Sequence, residues 1–187
     1  MSLKSLEELI KEQQNMNHEK TKAAEYVADE TFKNMAQDSV IELLKEALVI
    51  HWEQTQMLTA IGEHLDRWGY KKIADIIKKD AEEEHDHARI VLNRLEFFDT
   101  TVVYNAPQVV WPRHDMLGIL NAILASVVKA AVNERALITS ARNAGDELTA
   151  NITIPLLQGS EKGIIEMQAY LKQAEQMSLQ NFLSILV

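Results

Sequence analysis

The sequence predicts an all-α fold of four long helices, set as two hairpins joined by one long crossover, with a helical arm before them and a short helix after. Three observations lead there. Apolar residues make up 47% of the 187-residue chain while Gly (6) and Pro (3) are scarce, which suits long helices better than short strands and turns. Apolar positions recur at helical spacing over stretches of about 30 residues, each bounded by start and stop signals. One segment alone, residues 99–113, combines β-branched residues with two prolines, and it falls between the second and third stretches.

Residues 1–36 read as a polar helical arm. It opens on Ser5-Leu-Glu-Glu8 in capping-box form and carries Leu6, Leu9, Ile10, Tyr26, Val27 and Met35 as weak apolar stripes. The arm is expected to pack on the main body or on a neighbouring subunit. Residues 37–187 then form the bundle, a single domain at this length. A second capping box, Ser39-Val-Ile-Glu42, starts the first long helix, which runs to about Arg67 and is ended by Gly69. The second runs from about Tyr70 to Phe98, and at 1.5 Å per residue each is about 40 Å long. Residues 99–113 break the helix and travel back along the bundle. A third helix spans about Asp115 to Ala144, Gly145-Asp146 makes the break and cap, and a fourth reaches about Gln176. Pro155 lies inside the fourth and is expected to kink it. The short last helix begins near Ser178.

Stepping 100° per residue places Leu44, Ala47, Leu48, Thr55, Leu58 and Ile61 on one face of the first helix, with His51 in its middle and Glu42, Glu46 and Glu53 opposite. On the second, Tyr70, Ile73, Ile77, Ala81, Ala88, Val91 and Leu95 face inward. Glu84 is central to that stripe and His87 lies at its margin, while Glu82, Asp86 and Arg89 point away. Counted from Gly69, His51 and the Glu84/His87 turn lie at similar distances along antiparallel helices, so the three groups are expected to meet. Glu84-x-x-His87 sets a carboxylate and an imidazole one turn apart, close enough to grip one metal ion.

A carboxylate buried alone costs several kcal/mol, so Glu84 must be protonated, paired or bound to metal. The choice is between a buried Glu84–His51 ion pair with His87 nearby and a metal site of His51, Glu84 and His87. Two His and one carboxylate suit Fe(II), and imidazole-rich sites also take Zn(II) or Cu(II). The third helix carries Glu134 in the stripe Leu120, Ile123, Leu124, Val127, Ala130, Ala131, Ile138 and Ala141, where a salt bridge to Arg94 or Arg135 is expected. His18, His64, His85 and His114 fall off the stripes and are expected at the surface. Trp52, Trp68, Trp111 and the seven Met suit packing and interfaces.

Several function classes drop out on composition. Without Cys there are no disulfides, thiolate metal sites, iron–sulfur clusters or cysteine nucleophiles. A net charge of −9 disfavours nucleic acid and anionic membranes as partners and suits cations. The first residues lack an apolar signal core, and the runs of apolar residues fall short of the roughly 18 needed to span a bilayer. A soluble, cytoplasmic protein without membrane partners is therefore expected.

Four short motifs carry a resemblance: Glu84-x-x-His87-Ala88, Trp68-Gly69-Tyr70-Lys71, Gly145-Asp146-x-x-Thr149 and Leu179-Gln-Asn-Phe-Leu183. From about residue 40 to the end, the chain resembles a bacterioferritin-type member of the ferritin-like superfamily. The resemblance implies an up-down-down-up four-helix bundle with a long crossover, assembly as a homo-oligomer, and metal ions as ligands. Iron is the implied cofactor, with zinc or another divalent metal as the alternative, in iron storage or homeostasis.

Such proteins hold two irons, with one Glu from each of the first and third helices and Glu-x-x-His from each of the second and fourth. Only Glu84 and His87 carry over directly. His51 stands at the first-helix Glu position and Val127 at the third, while Ser160 and Gly163 stand at the fourth-helix pair. Glu134 lies two turns beyond Val127, about 10 Å along the axis. The resemblance thus implies a reduced centre of His51, Glu84 and His87, and standard di-iron ferroxidase chemistry is not expected. Haem is not expected either, because His85 occupies the place of the usual Met ligand. Two other readings remain open: a scaffold with a vestigial centre that acts in assembly or partner binding, and a non-haem Fe(II) oxygenase with a substrate cavity beside His51.

Overall fold

The computed structural model describes residues 38–103, 110, 111 and 113–187, together with Lys11, Asn15, Glu19, Lys20 and Lys22, which are helical and exposed. The Ser5-Leu-Glu-Glu8 capping box, the apolar stripes of the arm and His18 lie outside the described residues, as do residues 104–109 of the crossover. The described elements are α1 (Asp38–Arg67), α2 (Lys71–Phe97), α3 (Met116–Asn143), α4 (Glu147–Met177) and α5 (Leu179–Ile185).

Helix ends follow from local chemistry. Gly69 and Gly145 adopt φ of 90° and 74°, left-handed conformations that cost other residues about 1 kcal/mol or more, and so they terminate α1 and α3. Asp115 and Asp146 cap α3 and α4 by accepting hydrogen bonds from the amides of Leu117 (3.1 Å) and Thr149 (3.0 Å). The start of α1 departs from expectation. Ser39 lies within the helix, and its hydroxyl is 3.1 Å from that of Ser140 rather than capping its own backbone. α4 continues through Pro155, because Pro155 and Asn151, whose carbonyl loses its amide donor, both sit on an exposed face.

Cross-helix pairs fix the topology. Ser39 meets Ser140, Asn133 Nδ2 reaches Leu43 O (3.4 Å), and Lys129 pairs with Glu53 (2.8 Å), so numbers rise along α1 as they fall along α3. Arg94 pairs with Asp146, while Gly159 packs against His87, so α2 and α4 are antiparallel as well. With each hairpin antiparallel, the four directions are up, down, down, up. The chain between α2 and α3 must therefore traverse the bundle's length.

Among the described residues the core divides into two large apolar clusters and a small third of Ile138, Ala141 and Ala150. One, toward the Gly69 end, gathers Leu58, Ile61, Leu65, Ile73, Ile77, Ile119, Leu120, Ile123 and Met167, and is sealed by Phe182 and Leu186. The other large cluster gathers Val40, Leu44, Leu48, Val91, Leu95, Leu137 and Leu156. Each such side chain contributes roughly 1.5–3 kcal/mol by leaving water. The inward face of α1 is shifted slightly from expectation, with Gln54 buried and Thr55 half-buried. By length and composition α3 is apolar enough to cross a membrane, although its uninterrupted apolar runs are short. Its buried stripe packs within the bundle.

Arg94 does not pair with Glu134. Its Nη2 donates to Asp146 Oδ1 (2.7 Å) and its Nε to Thr149 Oγ1 (2.6 Å), with the guanidinium 4.4 Å from the ring centroids of both Phe97 and Phe98. This clasp ties the end of α2 to the start of α4. Burial opposes ionisation of Asp146, but its bonds from Arg94 and Thr149 outweigh burial and hold its pKa below the ordinary value.

Candidate metal centre

Between the two large apolar clusters lies a polar layer built from three helices. α1 supplies His51, α2 supplies Glu84 and His87, and α3 supplies Glu134. His51 Nδ1 is 2.7 Å from Glu84 Oε2, and His87 Nδ1 is 3.5 Å from the same oxygen. The two imidazoles meet edge to face, with centroids 5.3 Å apart. His51, Glu84 and His87 each offer a ligand atom within 4.8 Å of the others, and His51 and Glu84 are buried. All three residues singled out in the sequence thus converge on one layer.

Electrostatics within the layer favour a fixed negative charge. Burial opposes ionisation of Glu84, yet the hydrogen bond from His51 and then the approach of His87 overcome it and bring its pKa to about 2. For His87 burial works against the cation, but Glu84 outweighs it and the pKa rises above the usual imidazole value. An anionic carboxylate flanked by nitrogen donors is a fitting set for a divalent cation of borderline softness.

Glu134 belongs to the same layer, contrary to expectation. It is 1% exposed, and its Oε1 lies 3.6 Å from His51 Nε2. The expected salt bridge to Arg135 is not made, because Arg135 turns outward to Glu161 at 2.6 Å. Neither Glu134 oxygen meets a well-aligned hydrogen-bond donor among the described residues, and His51 Nε2 is unpartnered as well. Burial raises the Glu134 pKa, against the pull of His51 and of the Ser160 hydroxyl. The two-turn offset along the axis is closed by side-chain direction. In a helix Cβ bonds tilt toward the N-terminus, so on antiparallel α1 and α3 the side chains of His51 and Glu134 lean toward each other. Buried Gln54 lies one turn further along α1, with both ends of its amide unpartnered among the described residues.

α4 contributes room rather than ligands. A Cβ on Gly163 would lie 3.4 Å from Val127 Cγ1, and one on Gly159 would lie 3.2 Å from His87 Cε1. A cavity of about 50 Å³ follows, lined by Glu84, His87, Val127, Gly159 and Gly163 and reaching outward among Asp80, Glu83, Lys162 and Glu166. That volume admits a few waters or a diatomic molecule; small-molecule sites are typically several hundred Å³. At its rim, burial and then the carboxylates of Glu166 and Glu83 push the Asp80 pKa up to about 6.

The other described histidines lie away from this layer. His85 and His114 are exposed as expected, whereas His64 is half-buried, its ring centroid 4.4 Å from that of Trp68.

A family model described as the ferritin-like domain matches residues 41–177, the span that holds every residue of the layer. No curated protein matches the chain.

Proposed function

The chain belongs to the ferritin-like domain family, and from that premise we propose that it binds a divalent metal ion, iron foremost, at a reduced intra-bundle centre of His51, Glu84 and His87. The observation that carries this reading is their convergence within 4.8 Å in a layer flanked by apolar clusters. Glu84 supplies negative charge and holds Nδ1–H of His51, which leaves the lone pair of Nε2 for an ion. His87 supplies a second imidazole beside the cavity. The rim carries three carboxylates, Asp80, Glu83 and Glu166, against one lining cation, Lys162, an acidic excess that favours the approach of cations. Iron bound here would supply a one-electron redox centre. A two-iron ferroxidase is not part of the proposal, because α4 brings Ser160 and Gly163 where a second carboxylate–imidazole pair would be needed. The role lies in iron storage or homeostasis, carried out by a homo-oligomer.

Anaerobic Fe(II) titration of the purified chain, with metal analysis after gel filtration, tests the reading. One ion per chain is expected, lost in His87→Ala and Glu84→Gln. Absence of retained metal, or binding indifferent to both substitutions, overturns it.

One observation favours a second reading, a scaffold that keeps only a vestigial centre. The 2.7 Å bond between His51 Nδ1 and Glu84 pairs the imidazole with the carboxylate without an ion, leaving only Nε2 of the ring open. Under that reading no metal is retained, and His87→Ala leaves assembly and cellular function unchanged.

A further inference from the structure

We propose that Glu134 is a further ligand of this centre. A divalent ion bound here is shared between His51 Nε2 and a carboxylate oxygen of Glu134, while Glu84 steadies the imidazole from its other side. The proposal rests on the metal-binding reading above and extends it to the second hairpin.

The polar groups left without partners point the same way. Glu134 is 1% exposed on α3, and neither of its oxygens meets a well-aligned hydrogen-bond donor among the described residues, although the Ser160 hydroxyl lies close; His51 Nε2 is unpartnered as well. Buried groups of this kind destabilise the fold unless something joins them. A proton shared between them would bring nitrogen and oxygen to about 2.7–3.2 Å. The observed separation is 3.6 Å. Two donor atoms each about 2.1 Å from one ion, at a tetrahedral angle, lie about 3.4 Å apart. The spacing therefore matches two ligands on one ion better than a hydrogen bond.

The tautomer of His51 agrees. Glu84 occupies Nδ1 at 2.7 Å, so the nitrogen left to accept an ion is Nε2, and the oxygen facing it belongs to Glu134. On the α4 side the layer is bounded by Gly159, against His87, and by the small side chain of Ser160, beside Glu134. The donor set of imidazole nitrogen and carboxylate oxygen takes Fe(II), Co(II), Zn(II) or Mn(II) and excludes soft ions that need sulfur.

Co(II) alone, added to the full chain, is the probe, because its visible d–d bands report coordination number independently of any activity. Glu134→Gln keeps size and polarity while removing the charge. It is expected to retain the circular dichroism of a helical bundle, to bind Co(II) about tenfold more weakly or worse, and to show altered d–d bands. Glu134→Asp, which keeps the carboxylate on a shorter stem, is expected to fall between, and it is the variant to read should Glu134→Gln fail to fold.

If the wild type binds one Co(II) and the readable variant matches it in affinity and spectrum, Glu134 is not a ligand and the three-residue centre stands without it. If the wild type binds no Co(II), this inference and the metal-binding reading fall together.

Discussion

Two carboxyls on α2, one turn apart, respond to pH with opposite sign. Glu84 has a folded pKa of about 2 against an ordinary 4.5, so its stabilisation is present above about pH 4.5 and is lost as pH falls toward 2. In the metal-free chain, Glu84→Gln is expected to cost on the order of 2–3 kcal/mol at pH 7, with the gap from wild type falling to less than half by pH 3. Urea melts at the two pH values check this. Asp80 is raised from 3.8 to about 6, so its ionised form is disfavoured by folding, and stability is lost as pH rises through 6. Asp80→Asn is expected to raise stability at pH 7.5, by on the order of 1 kcal/mol once screening at this partly exposed site is allowed for. The gain should vanish by pH 4, and a destabilised variant at pH 7.5 would contradict the assignment. His51, Glu84 and His87 could be found in sequence because each sits near the centre or margin of an unambiguous 100° stripe. Glu134 was on its stripe too, but axial rise alone put it 10 Å away and missed the lean of two side chains on opposed helices.

α4 shows how an element can shape a site to which it lends no ligand. Gly159 and Gly163 both weaken a helix interior, so alanine at either would gain up to about 1 kcal/mol from propensity alone. At Gly163 the new Cβ would make an ordinary 3.4 Å contact with Val127, and Gly163→Ala is expected to raise the melting temperature of the metal-free chain. At Gly159 the Cβ would lie 3.2 Å from His87 Cε1, so the imidazole must give way by a few tenths of an ångström. Gly159→Ala should leave helicity intact yet weaken metal binding, and equal Co(II) affinity in both variants would show that His87 tolerates the shift.

The start of α4 carries a separate load. Asp146→Ala removes the helix cap and leaves Arg94 buried without its counter-ion, and is expected to cost 3 kcal/mol or more in denaturant melts. The cap itself could be read from Gly145-Asp146. Its tie to Arg94 could not, because that partner lies 52 residues away on the other hairpin, where no local pattern reports it.

On the scale of the whole molecule, the bundle holds its two large apolar clusters apart with a layer that contributes little hydrophobic stabilisation of its own. The topology was legible because only a helix-breaking crossover as long as residues 99–113 lets α2 and α3 run the same way. What the layer does was not, since burial and pairing depend on which helices face each other. Residues from α1 and α2 meet there, with α3 alongside, so an ion bound in the layer ties helices together and binds the native state in preference to the unfolded chain. At a free concentration one hundred times its Kd, such an ion adds about 2.7 kcal/mol. For a domain of this size that corresponds to a rise in melting temperature of roughly 5–11 °C. Melts with Fe(II) under argon, or with Zn(II) in air, should show the rise, a chelator should reverse it, and His87→Ala should abolish it. Were the layer a self-satisfied His51–Glu84 pair kept for architecture alone, the metal would move neither curve, and His87→Ala would melt with the wild type.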